Sequence, residues 1–140
     1  MKNMIVRTLV TLSLSAVLSP VALLAQSKIN ATIPFDFTIG AKSFAAGDYS
    51  VKLVSEYVIL VQSIKDGTGV MTMVQPGEKT HRPDGTPVLV FNRYGDTYFL
   101  ARVSGDDRGW RLHTSAAEKE MVARSSLPKP VIVAAALHSK

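Results

Sequence analysis

From residue 28 onward, apolar and polar positions alternate in short runs separated by Gly, Asp and Pro. A period of two puts successive side chains on opposite faces of an extended chain, so each run predicts a strand. The runs fall near 28–33, 35–39, 48–54, 57–64, 69–75, 87–94, 97–104 and 109–113. Turn chemistry sets three expected registers. Asp66-Gly67 suits a two-residue type I′ turn, which pairs Lys65 with Thr68 and sets Gln62 opposite Met71, Leu60 opposite Met73 and Ile59 opposite Val74. Gly95-Asp96 suits type II′, which pairs Tyr94 with Thr97, Arg93 with Tyr98, Phe91 with Leu100 and Val90 with Ala101. A tight link at Ser55-Glu56 sets Leu53 opposite Val58 and Val51 opposite Leu60.

On those registers Val51, Leu60 and Met73 form an inner row. Ile59, Val61 and Val74 share the other face with Lys52 and Thr72. Two half-apolar faces predict a mainly β fold: an antiparallel meander forming a sandwich or small barrel.

One segment leaves this pattern. Ser115-Ala116-Ala117-Glu118 is a capping box, with Ala117, Met121 and Val122 on one stripe, and predicts a single short C-terminal helix over 115–124. Leu127-Pro128-Lys129-Pro130 must then be extended. The 126–140 segment is an extended apolar tail, too short to span a bilayer. Three uses are open to it: a last strand, a mobile tail, or a segment that binds another molecule.

The N-terminal 25 residues follow another logic. Lys2 and Arg7 precede an apolar run over 8–18, then Ser19-Pro20 and a small residue, Ala25. That is the layout of a secretory signal peptide, so 1–25 is expected to be removed and the domain exported to the periplasm or the extracellular space. The β domain is then residues 26–125, and the mature chain has no transmembrane helix. The chain's +5 charge loses Lys2 and Arg7 to become +3, too weak a balance to argue for nucleic acid. The absence of cysteine fits a bacterial envelope or extracellular protein and excludes thiol chemistry and thiolate metal sites.

Reactive constellations are sparse. His81, His113 and His138 stand apart with no metal-ligand spacing, and there is no GxSxG elbow. No cofactor or metal is implied. Asn30-Ala31-Thr32 matches a glycosylation sequon, a chance match in a bacterial chain. Most aspartates sit in turns, where Asp bonds its own backbone. Asp36, between Phe35 and Phe37, is the exception: an edge carboxylate, or a partner for Arg93 or Arg102. Lys79-Thr80-His81-Arg82 is a basic loop able to meet an anionic lipid or polysaccharide surface. Phe91, Tyr94, Tyr98 and Phe99 cluster on one hairpin, with Arg93 placed to lie over Tyr98.

The segments Ile33-Pro34-Phe35-Asp36-Phe37-Thr38-Ile39-Gly40, Ala46-Gly47-Asp48-Tyr49-Ser50-Val51 and Phe91-Asn92-Arg93-Tyr94-Gly95-Asp96-Thr97-Tyr98-Phe99-Leu100 resemble those of a family of small exported bacterial β-rich proteins with no assigned function. The resemblance covers most of 30–124. It implies a β domain and supplies no catalytic residue. The expected function is therefore that of an exported, non-enzymatic module binding an envelope protein, a glycan or an apolar ligand. Candidate binding residues are Asp36, Arg93, Tyr94, Tyr98, Lys79 and Arg82. Two alternatives stand beside it: a self-associating homo-oligomer using a sheet edge or the tail, and a small hydrolase-like enzyme built on Asp36.

Overall fold

A computed structural model describes residues 28–79, 82–105, 108–124 and 127–138. The 1–25 segment, Thr80, His81, Asp106 and Asp107 lie outside the described residues. The alternating runs form strands β1 (Lys28–Ile33), β2 (Phe37–Ile39), β3 (Lys42–Phe44), β4 (Gly47–Ser55), β5 (Val58–Ser63), β6 (Gly69–Gly77), β7 (Val88–Tyr94), β8 (Thr97–Ser104) and β9 (Gly109–Leu112). Helix α1 (Ala116–Arg124) follows, then β10 (Lys129–Ala134) and β11 (Ala136–His138). The fold is mainly β with one C-terminal helix, as the pattern predicts. Its pairings are antiparallel except for a single parallel bridge between β2 and β8, Thr38 to Phe99.

The strands run β10-β7-β8-β9-β6-β5-β4-β1-β11, and the sheet does not close. Two strands carry the chain from one half to the other. β6 pairs with β5 through Met73 and with β9 from Val74 onward. At the opposite corner, β10 pairs with β7 and β11 with β1, joined by the buried Ala135, whose N–H donates to the Pro87 carbonyl at 2.8 Å. Strands that switch sheets make such corners. Inward residues of both halves meet in one core, including Ile33, Val51, Ile59, Val61, Leu89, Phe91 and Val103. Of the three uses open to the tail, the structure takes the strand.

Two registers differ from expectation. The β5–β6 connection is a four-residue loop: Ser63 N–H donates to Thr68 O at 2.8 Å, and Gly67 N–H to Ser63 O at 3.1 Å. A type I′ turn needs positive φ at both central residues. Here Gly67 has φ +74°, while among the described residues no non-glycine is positive. Asp66 instead accepts the Thr68 N–H at 2.9 Å. Leu60 therefore faces Met71, a shift of two residues that keeps every side chain on its face.

The β4–β5 register moves by one, which swaps faces. The turn residues are Glu56 and Tyr57, and an irregularity between Leu53 and Ser55 sets Val51 opposite Val61 and Leu53 opposite Ile59. Ile59 and Val61 are thus buried, while Met73 is 62% exposed. Both faces of β5 are apolar, so hydrophobicity alone could not choose between them, and the bulge at Val54 decides. The second hairpin keeps its predicted register from Tyr94–Thr97 to Phe91–Leu100. A bulge at Ala101 then sets Val90 opposite Arg102.

Register also orders the two ends of the interior. At one end Phe37 packs against Phe44, Tyr49 and Phe91 at centroid distances of 5.4, 4.9 and 5.5 Å, and Phe35 meets Phe91 at 5.0 Å. At the other end stands Trp110, opposite Pro76 on β6 and Val103 on β8.

Candidate functional site

Trp110 is the only tryptophan in the chain. Its partners Val103 and Pro76 place it on the inner face of β9, where it packs against the core while staying partly exposed. The ring lies over Gly105, where an added Cβ would stand 3.5 Å from it. Gly109 lets the chain after β6 come close: a Cβ there would sit 2.5 Å from the Glu78 carbonyl oxygen, so no side chain fits. That approach brings Lys79 beside the indole. The result is a cleft of about 410 Å³ lined by Glu56, Pro76, Lys79, Arg108 and Trp110, with Gly77 and Gly109 as bare wall. It opens at the mouth of the two-sheet interior, a common place for ligand sites in β folds.

The charges at this mouth are unspent. Among the described residues the one ion pair is Arg93 with Asp96, at 3.9 Å. Lys79, Arg108 and Glu56 therefore stand around Trp110 without a partner within ion-pair distance. Among the described lining residues, two cations stand against one carboxylate. An aromatic face beside two donor cations can hold a ring and an anionic group together.

The residues singled out from sequence do not converge. Lys79 lines the mouth, whereas Arg82 is exposed outside its lining. Asp36 is exposed, and its Oδ1 accepts the Ala46 N–H at 2.9 Å, so it braces the approach to β4 and pairs with neither Arg93 nor Arg102. Arg93 donates to the Gly95 carbonyl at 2.6 Å, and its guanidinium lies 5.5 Å from the Tyr98 ring centroid, the cross-strand pair expected. Tyr98 also stacks on Phe35 at 3.8 Å, so its ring is already covered in part. Phe91 and Phe99 are buried, which removes them from any exposed platform.

Tyr94 faces the other side of the sheet. It is buried and donates to Glu118 Oε1 at 3.1 Å. Burial, with the Glu118 carboxylate beside it, pushes its pKa up to about 12. Asn92 Nδ2 donates to the same oxygen at 2.9 Å. The capping box is thus half as expected. Ser115 Oγ accepts the Glu118 N–H at 3.2 Å, but the Glu118 side chain turns to the sheet instead of back to Ser115.

Trp110 and Arg108 escaped the sequence reading because β6 and β9 are joined through β7 and β8, with no tight turn to fix their register. A lone Trp flanked by Arg108-Gly109 was the available signal. Asn30 sits within β1 with its Oδ1 enclosed, which does not present the sequon as an acceptor. Among the described residues no group of three His, Asp or Glu is placed to hold a metal, and no helix is long and apolar enough to cross a membrane. No protein-family model, curated protein or solved structure matches this chain.

Proposed function

We propose that this chain is an exported β-domain module of the periplasm or extracellular space that binds, rather than converts, an acidic saccharide in the Trp110 mouth. The observation that carries the reading is the pair of unpaired cations, Lys79 and Arg108, flanking the indole. A sugar ring offers a flat C–H face to an aromatic surface, and a uronate carboxylate accepts from both cations. Each such charged hydrogen bond is worth about 1.5–3 kcal/mol. The cleft, about 410 Å³, is within the range of small-ligand pockets. The signal-peptide layout of 1–25 supports the location.

The test is calorimetric titration of the recovered protein with a uronic-acid oligosaccharide and with a neutral one of equal length. Heat with the acidic ligand alone, abolished in Lys79→Ala/Arg108→Ala, is expected. Equal heat from both sugars contradicts the reading. Expressed with its own leader in a bacterial host, the protein should be recovered outside the cytoplasm with a mass lacking 1–25.

A protein partner is the second reading. The outer face of β6 leaves Met71 and Met73 each 62% exposed, and Val54 on β4 is 48% exposed. The C-terminal segment proposed for self-association is already paired with β7 and β1. A partner would therefore meet this outer face, and Met71→Lys/Met73→Lys should abolish any self-association seen by sizing.

A further inference from the structure

Strand β8 changes partner along its length, from β9 at Arg102 to β2 at Phe99. The gap between those two neighbours is a second cleft, of about 190 Å³, which shares no lining residue with the Trp110 mouth. Its wall includes Glu118, Thr38, Thr72, Thr114, Ser115 and Phe99. Glu118 is 5% exposed, the only charged residue so deeply buried among those described. Its Oε1 takes both the Asn92 and Tyr94 bonds, whereas Oε2 takes none among the described residues. Only Asn30 Oδ1 is fully enclosed without a partner there, so Oε2 is reached from outside. No Lys or Arg pairs with Glu118.

A carboxylate drawn out of water without a counter-ion is costly. Two neutral donors and a position in the first turn of α1 offset part of that cost. The remaining charge faces a cleft whose other polar side chains are hydroxyls and the His113 imidazole; that ring meets Gln75 Nε2 at 3.4 Å and is not within ion-pair distance of Glu118. A neutral guest would leave the charge uncompensated. A hard divalent ion needs six or more oxygen ligands, commonly several carboxylates, and the described residues offer no such group.

We propose that this cleft binds the primary ammonium group of a small amine, with Glu118 Oε2 as its counter-ion. An ammonium has three donors. Oε2 takes one, and the Thr and Ser hydroxyls on the wall accept the others, with Phe99 covering the attached carbon. At roughly 30 Å³ per water, the cleft holds a head group of a few heavy atoms, not a long chain. The site is independent of the Trp110 mouth and of the ligand proposed there.

The experiment is an amide-resolved NMR titration of the ¹⁵N-labelled protein with ethanolamine, and with ethylene glycol at matched ionic strength. Saturable shifts at Phe99, Thr114 and the Asn92 side chain are expected with ethanolamine only. Glu118→Gln keeps an acceptor for Asn92 and Tyr94 but removes the charge, and should weaken binding by at least about tenfold. No saturable shift up to roughly 100 mM, a hundred times a millimolar Kd, overturns the proposal. So does unchanged affinity in Glu118→Gln, or an equal response to ethylene glycol. Should Glu118→Gln not fold, Thr72→Val on the facing wall is the second variant. Several-fold weaker ethanolamine binding supports the proposal, and unchanged binding rejects it.

Discussion

The two ends of the interior are both aromatic, and they are built for different ends. At one, Phe37 sits 2% exposed among Phe44, Tyr49 and Phe91, each ring closing on another. Such pairs add about 0.5–1.5 kcal/mol each beyond the area they bury. The short hairpin of β2 and β3 covers this end, and the one cation over these rings among the described residues, Lys42 at 5.4 Å from the Phe44 centroid, also donates to the Gly69 carbonyl at 3.0 Å. At the other end a single Trp110 stays partly exposed, walled by glycines and faced by three unpaired charges. The first arrangement completes the core. The second leaves an aromatic face and two cations unsatisfied within the molecule, which is how a surface meant for another molecule differs from one meant for itself.

The sharpest contrast in stability comes from the sealed end. Phe37→Ala removes a ring that contacts with Phe44, Tyr49 and Phe91 hold in place and should cost about 3–5 kcal/mol in denaturant unfolding. The molecules that remain folded should bind at the Trp110 mouth as the parent does. At the open end the wall matters more than the rim. Gly109→Ala drives a Cβ into the Glu78 carbonyl and should cost about 1–3 kcal/mol. It should also weaken ligand binding, because Lys79 moves with that backbone.

Alkaline unfolding is governed away from the open mouth. Tyr94, on the opposite face of β7, has its pKa pushed up to about 12 by burial and by Glu118, and burial raises that of Tyr49 as well. A raised pKa means the folded state keeps a proton that the unfolded chain releases. The stabilisation is complete below the ordinary tyrosine value near 10 and is lost as pH rises towards 12. Tyr94→Phe should flatten the fall in stability across that window, followed by urea melts at stepped pH. Lys79→Ala/Arg108→Ala should leave that fall unchanged. That double variant should shift stability least, by no more than about 0.5 kcal/mol, while removing acidic-ligand binding. A larger loss of stability would mean the cations serve the fold, and the contrast between the ends would fail.

Strand positions were legible where alternation was strict, and the second hairpin's register followed from Gly95 alone up to Phe91. The inner face of β5 was not legible. Ile59 and Leu60 are equally apolar, and the bulge at Val54 that chooses between them leaves no mark in composition. The site was less visible still. Lys79 stood out as part of a basic run, but Trp110 and Arg108 come from a strand that meets β6 only after two intervening strands have been laid down. Glu118 carried a local explanation, the capping box, and half of it holds. Its side chain was free to be buried because Ser115 alone caps the helix.

Because Trp110 is the chain's only tryptophan, its fluorescence comes from the open mouth and from the core edge it packs against. The decisive measurement is its emission during titration with a uronic-acid oligosaccharide, at low salt and again at high salt. A saturable change that weakens with salt, is absent with a neutral oligosaccharide, and disappears in Lys79→Ala/Arg108→Ala is the predicted result. Emission that stays constant throughout, or that responds equally in the double variant, would contradict a ligand-binding mouth at Trp110.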